Sequence, residues 1–415
     1  MESVYQQSKN NRLHTLSKWV IAILFVGSAM GLLSAVFLVA LDFVTNTRET
    51  NSIFIWLLPI GGLIVGYLYH LLEKGVEGGN ERLLQEMILT KKHIHRKMAP
   101  LVFLGTILTH LFGGSAGRES TAIQMGGTVA DQIIKPLKLV SAQDRKIILR
   151  MGVAAGFSGV FGTPLAGFIF AFEWARDKQF VPSSILPILA VSFLADYVCH
   201  ATGVAHAIYP NVSIASYSVN SFWLIFVAGI LFGIAALMFN MTKAKLSAIL
   251  PKIIRFMPFR VGFGGVVLLL FFVFSGTTKY FGLGVPFIQS AFVETADYYD
   301  WFIKLLLTVF TVSVGFKGGE ATPLFFIGAT LGSALVTYLP LDMVLLAACG
   351  FIAVFAGATN TPLACTIMGG EIFGWEGLPY YLIACALAYL ISGNTSAYSA
   401  QQQFLRKISL IQRKH

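Results

Sequence analysis

Apolar runs fill most of the chain, broken by short polar or glycine-rich interruptions, and no stretch alternates with the two-residue period of a half-buried strand. The runs at 20–41, 53–72, 98–112, 185–195, 222–239, 261–274 and 380–391 therefore predict helices. Several are shorter than the roughly 20 residues a full bilayer crossing needs. Backbone groups left unpaired in lipid are costly, so short, glycine-interrupted apolar helices predict re-entrant segments that stop at membrane depth around a buried, wet site.

Two of these stretches are versions of each other. GVAAGFSGVFGTPLAGFIFAFE (152–173) and GFIAVFAGATNTPLACTIMGGE (350–371) align without gaps, pairing Gly152 with Gly350, Thr163-Pro164-Leu165-Ala166 with Thr361-Pro362-Leu363-Ala364, and Glu173 with Glu371. Upstream, 117–126 aligns with 319–328 at nearly the same offset, which pairs GREST with GGEATP (318–323). Membrane repeats of this kind are often inverted, and inversion brings half-helix starts from opposite leaflets face to face at the midplane.

The first of these starts, GGSAGREST (113–121), hands a charged Arg118-Glu119 pair to an apolar run, flanked by predicted helices at 98–112 and 122–134. An ionisable residue at membrane depth points to a functional site. Gly113, Gly114 and Gly117 free the backbone to curl round a small concavity, and a helix beginning there offers unpaired N–H groups and a positive dipole end. Such a place suits an anion. A second candidate start follows Gly78-Gly79 in EKGVEGGNERLLQEM (73–87), where Asn80 is placed as an N-cap for a helix with Leu83, Leu84 and Met87 on one face.

Composition confirms the class. Of 415 residues 56% are hydrophobic and 12% charged, with a mean hydropathy of +0.72, whereas a soluble domain carries about twice that charge. The net charge of +10 is unevenly placed: Lys9, Arg12 and Lys18 precede the first span, KKHIHRK (91–97) forms a loop, and Arg406, Lys407, Arg413 and Lys414 crowd the end. The positive-inside bias then makes both termini and that loop cytoplasmic in a prokaryotic plasma membrane, and accounts for these flanks without nucleic-acid binding. The uncharged stretch 207–220, after His206, faces out. Cys199, Cys349, Cys365 and Cys385 lie in apolar segments without CxxC spacing and imply neither disulfides nor a metal. No cofactor is implied. The expected organisation is a cytoplasmic segment 1–18, repeats at 19–204 and 205–392, and a tail at 393–415 whose helix closes the pathway.

With these motifs on hand, the chain resembles the CLC family of anion channels and proton-coupled anion exchangers over nearly its whole length. GGSAGREST stands for that family's G-R-E-G-P segment, 152–167 for its G-x-x-A-G…A-P-L-A-G segment, GGEATP for its G-G-x-F-x-P segment, and Tyr398-Ser399-Ala400 precede the last helix. The resemblance implies an all-α, inverted-repeat membrane fold with re-entrant half-helices, a homodimer with one anion pathway per subunit, and a gate at Glu119. It also implies anion contacts at Asn80, Gly117, Arg118, Ala321, Thr322 and Tyr398. Departures from the family pattern are similar to its fluoride-exporting branch, CLC-F: Asn80 replaces the serine at the central anion, Glu320 and Thr322 enter the third motif, and Trp174 falls where chloride exchangers carry a proton-handling glutamate, with Glu173 beside it. Ser120 replaces the usual glycine after the gate.

Fluoride is small, tightly hydrated, and a strong acceptor, so its site needs short, strong donors: the amide of Asn80, the hydroxyls of Thr322 and Tyr398, and backbone N–H groups. Ionised, Glu119 takes an anion's place at a helix start; neutral, it carries a proton and donates to fluoride. Glu320 has two open roles, direct handling of ions or a carboxylate that holds the Lys317 loop or caps its helix, since a lone charge beside an anion path is costly. Thr322 and Asn80 also fit simple caps, Tyr398 an interfacial anchor, and Glu173 with Glu371 a structural pair. A chloride/proton exchanger or passive chloride channel is the nearest alternative. A further one is an intramembrane serine hydrolase, because Gly113–Gly117 fits G-x-S-x-G around Ser115 with His110 a turn earlier, but that elbow belongs after a strand. No H-E-x-x-H occurs.

Overall fold

The computed structural model describes residues 2–72, 76, 78–139, 141–175, 181–214 and 216–402, with side chains from 16 to 401. The side chains of Lys9 and Arg12, and the whole of the basic end from Arg406 to Lys414, lie outside the described residues. The described residues are mainly helical, and among them the sole β-type pairing is one antiparallel bridge, Gly117 with Gly319. Helices of the first half are α1 (Glu2–Thr50), α2 (Ile53–Trp56), α3 (Leu58–Leu72), α4 (Gly79–Leu89), α5 (Met98–Phe112), α6 (Glu119–Gln132), α7 (Ala142–Phe161), α8 (Pro164–Glu173) and α9 (Ile185–Ala201). The second half continues with α10 (Val219–Ile253), α11 (Met257–Ser275), α12 (Val285–Ser290), α13 (Asp300–Val314), α14 (Ala321–Leu335), α15 (Met343–Thr359), α16 (Pro362–Phe373), α17 (Leu378–Ile391) and α18 (Ser399–Gln402).

Leu16–Thr50, Pro182–Ala201, Val219–Ile253 and Met257–Ser275 are long and apolar enough to cross a membrane, whereas several apolar helices of 10–17 residues are not. Three boundaries differ from the apolar pattern. Residues 2–18 run on into the first span as one helix of 49 residues. The run at 53–72 breaks between α2 and α3, where Pro59 offers no N–H to the preceding turn. The run at 222–239 extends past its apolar part to Ile253, carrying Lys243 inside α10.

The repeat is visible as packing. In the first half α5, α6, α7, α8 and α9 follow in order, with α1 against α7 and α9; in the second, α13 to α17 follow in the same order, with α10 against α15 and α17. Both sets bring backbones into near-contact at matching places: a Cβ on Gly126 would lie 2.0 Å from the Gly152 carbonyl oxygen, and one on Gly328 would lie 2.0 Å from that of Gly350. Small residues let membrane helices approach this closely, and these are the same two glycine pairs that the repeat alignment matches. Glu173 and Glu371 tie the halves together reciprocally. Glu173 accepts from the N–H groups of Leu363 and Ala364 (3.1 and 2.7 Å) at the start of α16, and Glu371 from those of Leu165 and Ala166 (2.8 and 2.9 Å) at the start of α8.

Candidate functional site

The loops before α6 and α14 meet where Gly117 and Gly319 exchange both backbone hydrogen bonds, at 2.5 and 2.6 Å. Antiparallel pairing of repeat-equivalent residues aims the two helix starts at one point from opposite sides. Glu119, the first residue of α6 and buried at 1% exposure, sends its carboxylate across to the start of α14. There Oε1 accepts from the Thr322 hydroxyl at 2.6 Å and Oε2 from the Thr322 N–H at 3.1 Å; Oε2 also accepts from the Arg118 N–H at 3.1 Å. The Arg118 Nε lies 3.5 Å from Oε1. The carboxylate thus sits in a nest of donors at a dipole-positive helix end, which is chemically an anion seat with a tethered anion in it.

Two cavities lie in this region. The smaller, about 30 Å³, is lined by Arg118, Glu119, His206, Tyr209, Thr322 and Phe325. The larger, about 320 Å³, is lined by Asn80, Gln124, Lys243, Lys317, Glu320 and Tyr398, among others. The hydroxyl of Tyr398, which lines the larger cavity, lies 3.3 Å from that of Ser120, so the serine after Glu119 is a partner for the tyrosine. Tyr398 is held from several directions: Trp174 meets its ring edge to face, Glu81 of α4 accepts from the Ser399 N–H at 2.5 Å and from the Ala400 N–H, and Gln401 donates to the carbonyls of Trp174 and Thr359.

Glu320 precedes α14 and is 7% exposed. Its Oε1 accepts from the Lys243 ammonium at 2.5 Å, while Oε2 is buried without a hydrogen-bond partner. The same ammonium donates to the Ala397 carbonyl at 2.5 Å and lies 5.6 Å from the centre of the Tyr398 ring. Lysine therefore offsets a buried charge that would otherwise be costly.

Several expectations change at this level. Asn80 is not the cap of α4: Gly78 takes that place with φ 91° and Gly79 follows with φ 48°, which leaves the Asn80 side chain in the cavity, its Oδ1 buried and unpartnered. The Gly117 N–H, expected to face an anion, is directed at the Gly319 carbonyl, so Gly117 fixes the crossing of the two loops instead. Thr322 and Glu320 make no side-chain cap on α14; their polar groups go to Glu119 and Lys243. Lys317 extends over Tyr69, 3.9 Å from the ring centre. Ala321 opens α14, with its side chain buried. The hydrolase arrangement does not form, because Ser115 Oγ pairs with the Thr308 hydroxyl at 3.0 Å and both His110 ring nitrogens face carbonyls, of Thr106 and Ala116. Lys243, Glu81 and His206 have no signal in the sequence beyond a basic flank, a helix-start acid and a loop boundary.

The profile described as "Voltage gated chloride channel" matches residues 61–393. The chain belongs to that family. Within it, the chain is 42% identical over 393 residues to a protein named "Chloride/fluoride channel protein" of Pseudomonas syringae pv. tomato, covering 93% of this chain and 87% of the relative. Its fold matches a solved structure titled "Crystal structure of a CLC-type fluoride/proton antiporter" with a TM-score of 0.89 at 34% identity, over 93% of this chain and 98% of the other. It also matches that of a slow cyanobacterial Cl⁻/H⁺ antiporter with a TM-score of 0.80, at 19% identity over 90% of this chain and 94% of the other, a likeness of fold alone. The relatives are transporters, and as a CLC family member the chain is a multi-pass membrane protein.

Proposed function

We propose that the chain exports fluoride from the cytoplasm in exchange for protons, as a homodimer whose subunits each hold one pathway and keep both termini cytoplasmic. The observation that carries this reading is the Glu119 carboxylate in the Thr322 seat, 2.6 Å from the hydroxyl and 3.1 Å from the N–H. A carboxylate and a fluoride compete for the same donors. When Glu119 takes a proton it loses its negative charge and gains an O–H donor, so its hold on the seat weakens and a fluoride can replace it. Each proton bound thus opens the seat to one anion, and that exclusion couples the two ions. Asn80, Thr322 and Tyr398 supply the short donors that a small, strongly hydrated ion requires, and Arg118 adds a fixed positive charge at the same point. The larger cavity would open to the cytoplasm, since its lining includes Met98, the residue that follows the basic 91–97 loop.

Chloride is the second reading, favoured by the Pseudomonas relative, whose name carries both halides. Purified protein in liposomes separates the two: fluoride efflux far faster than chloride efflux, with protons moved uphill by a fluoride gradient, supports fluoride/proton exchange. Equal halide rates without proton movement would reject it.

A further inference from the structure

His206 lies in the loop between α9 and α10, outside the helices, and lines the small cavity that also receives Glu119, Arg118 and Thr322. Its Nε2 is 3.2 Å from the Gly159 carbonyl oxygen. A carbonyl only accepts, so the neutral ring carries its hydrogen on Nε2 and keeps Nδ1 as its basic nitrogen. The ring fits because Gly162, at φ 72°, has no Cβ, which would stand 3.1 Å from Nδ1. The cavity, about 30 Å³, has room for about one water. Among the groups around it, the Tyr209 phenol has its pKa raised by burial above the ordinary value. His206 is the one whose ordinary titration falls between about pH 5 and 8.

We propose that His206 is the proton relay between the outer solution and Glu119. The proposal rests on the fluoride/proton exchange reading and adds the group that delivers the proton to it. A proton from outside adds to Nδ1 and makes an imidazolium. The Nδ1–H bond then breaks, the proton passes through the cavity water, and an O–H bond forms on the Glu119 carboxylate as the ring returns to neutral. Loss of the carboxylate's charge frees Thr322, and the fluoride that leaves does so past Arg118.

Charged and titratable groups around the ring are Asp196 and His200 of α9, Arg118 and Glu119 at the start of α6, and Tyr209 in its own loop. Burial lowers the His206 pKa from 6.5; the Gly159 carbonyl raises it, Arg118 lowers it, Asp196 raises it and His200 lowers it. A relay that must first be protonated therefore works faster as pH falls, through a midpoint below 6.5.

The test is fluoride-driven turnover in liposomes with equal pH on both sides, scanned from about pH 5 to 8. Wild-type turnover should rise on acidification with that histidine inflection. His206→Gln keeps a side-chain N–H for Gly159 but has no basic nitrogen. It should lose the inflection and slow by roughly 100-fold at the acid end, the lower range for a positioned proton-transfer group. Added imidazole should restore much of the rate, while fluoride binding to the detergent-purified variant stays at the wild-type level. His206→Asn is read in the same way should the glutamine variant fail to bind fluoride. Retention of the inflection and rate, or a slow variant that imidazole does not rescue, overturns the relay. If the wild-type protein exchanges no protons, it is the exchange reading that fails.

Discussion

The GREST and GGEATP loops have equivalent places in the repeat, and Gly117 and Gly319 make them mirror each other through the same pair of hydrogen bonds. Their carboxylates nonetheless end in opposite situations. Glu119 reaches out of its own repeat and is held by backbone and hydroxyl donors that an anion could take over. Glu320 is one residue earlier relative to its helix and is held by a lysine, which has its own tether to Ala397. One acid sits among donors that an anion could take over, and the other is neutralised in place. The pair Glu173 and Glu371 shows the contrary case, with both acids doing the same capping task for the opposite half. Repeat position fixes where a side chain starts; its partner decides what it does.

The largest effect should come from Glu119→Gln, which keeps the shape and removes the exchangeable charge. Proton movement driven by a fluoride gradient should fall at least about 100-fold, roughly 2.7 kcal/mol, while fluoride still passes. Persisting coupling would mean that the two loops do not differ in kind. Next, Lys243→Met strands the Glu320 carboxylate and should cost about 3 kcal/mol in stability, measured by thermal unfolding in detergent. Adding Glu320→Gln to that variant should recover much of the loss, a double-mutant coupling that a mere crowding effect at α10 would not give. Thr322→Val removes the 2.6 Å hydroxyl donor and should weaken fluoride binding by about 10-fold or more, from the roughly 1.5–3 kcal/mol of a hydrogen bond to a charged group, read by calorimetry. Glu173→Gln and Glu371→Gln should each cost about 1–2 kcal/mol of stability and match within about 0.5, leaving ion selectivity untouched. Unequal costs would show that the symmetry is only geometric. The smallest change is expected of Tyr398→Phe, about 0.5–1 kcal/mol in fluoride affinity, since its hydroxyl contact with Ser120 is long at 3.3 Å.

Much of the fold and part of the site are legible in the sequence for a specific reason. Gly126 with Gly152 and Gly328 with Gly350 mark helix crossings that tolerate no side chain, so the repeat leaves a readable trace in both halves. Glu119 stands out because a carboxylate at membrane depth is expensive to keep unless an ion or a proton uses it. Lys243 does not. It lies 77 residues from Glu320, and next to Lys245 it looks like the basic margin of a span. Asn80 reads as a cap in the sequence, but the two glycines before it both take positive φ, which moves the helix start upstream. His206 marks the edge of an uncharged loop, and only the folding of that loop over α7 brings its ring to Gly159 and the small cavity.

Two of the donors to the Glu119 carboxylate, the Thr322 N–H and hydroxyl, lie 203 positions later in the chain. During synthesis the first half therefore emerges with an acid that has only its Arg118 contacts and lacks the rest of its seat. Neither half can make an ion-selective device by itself. Co-expressed as two separate polypeptides, they would have to find each other before either could do anything to a halide.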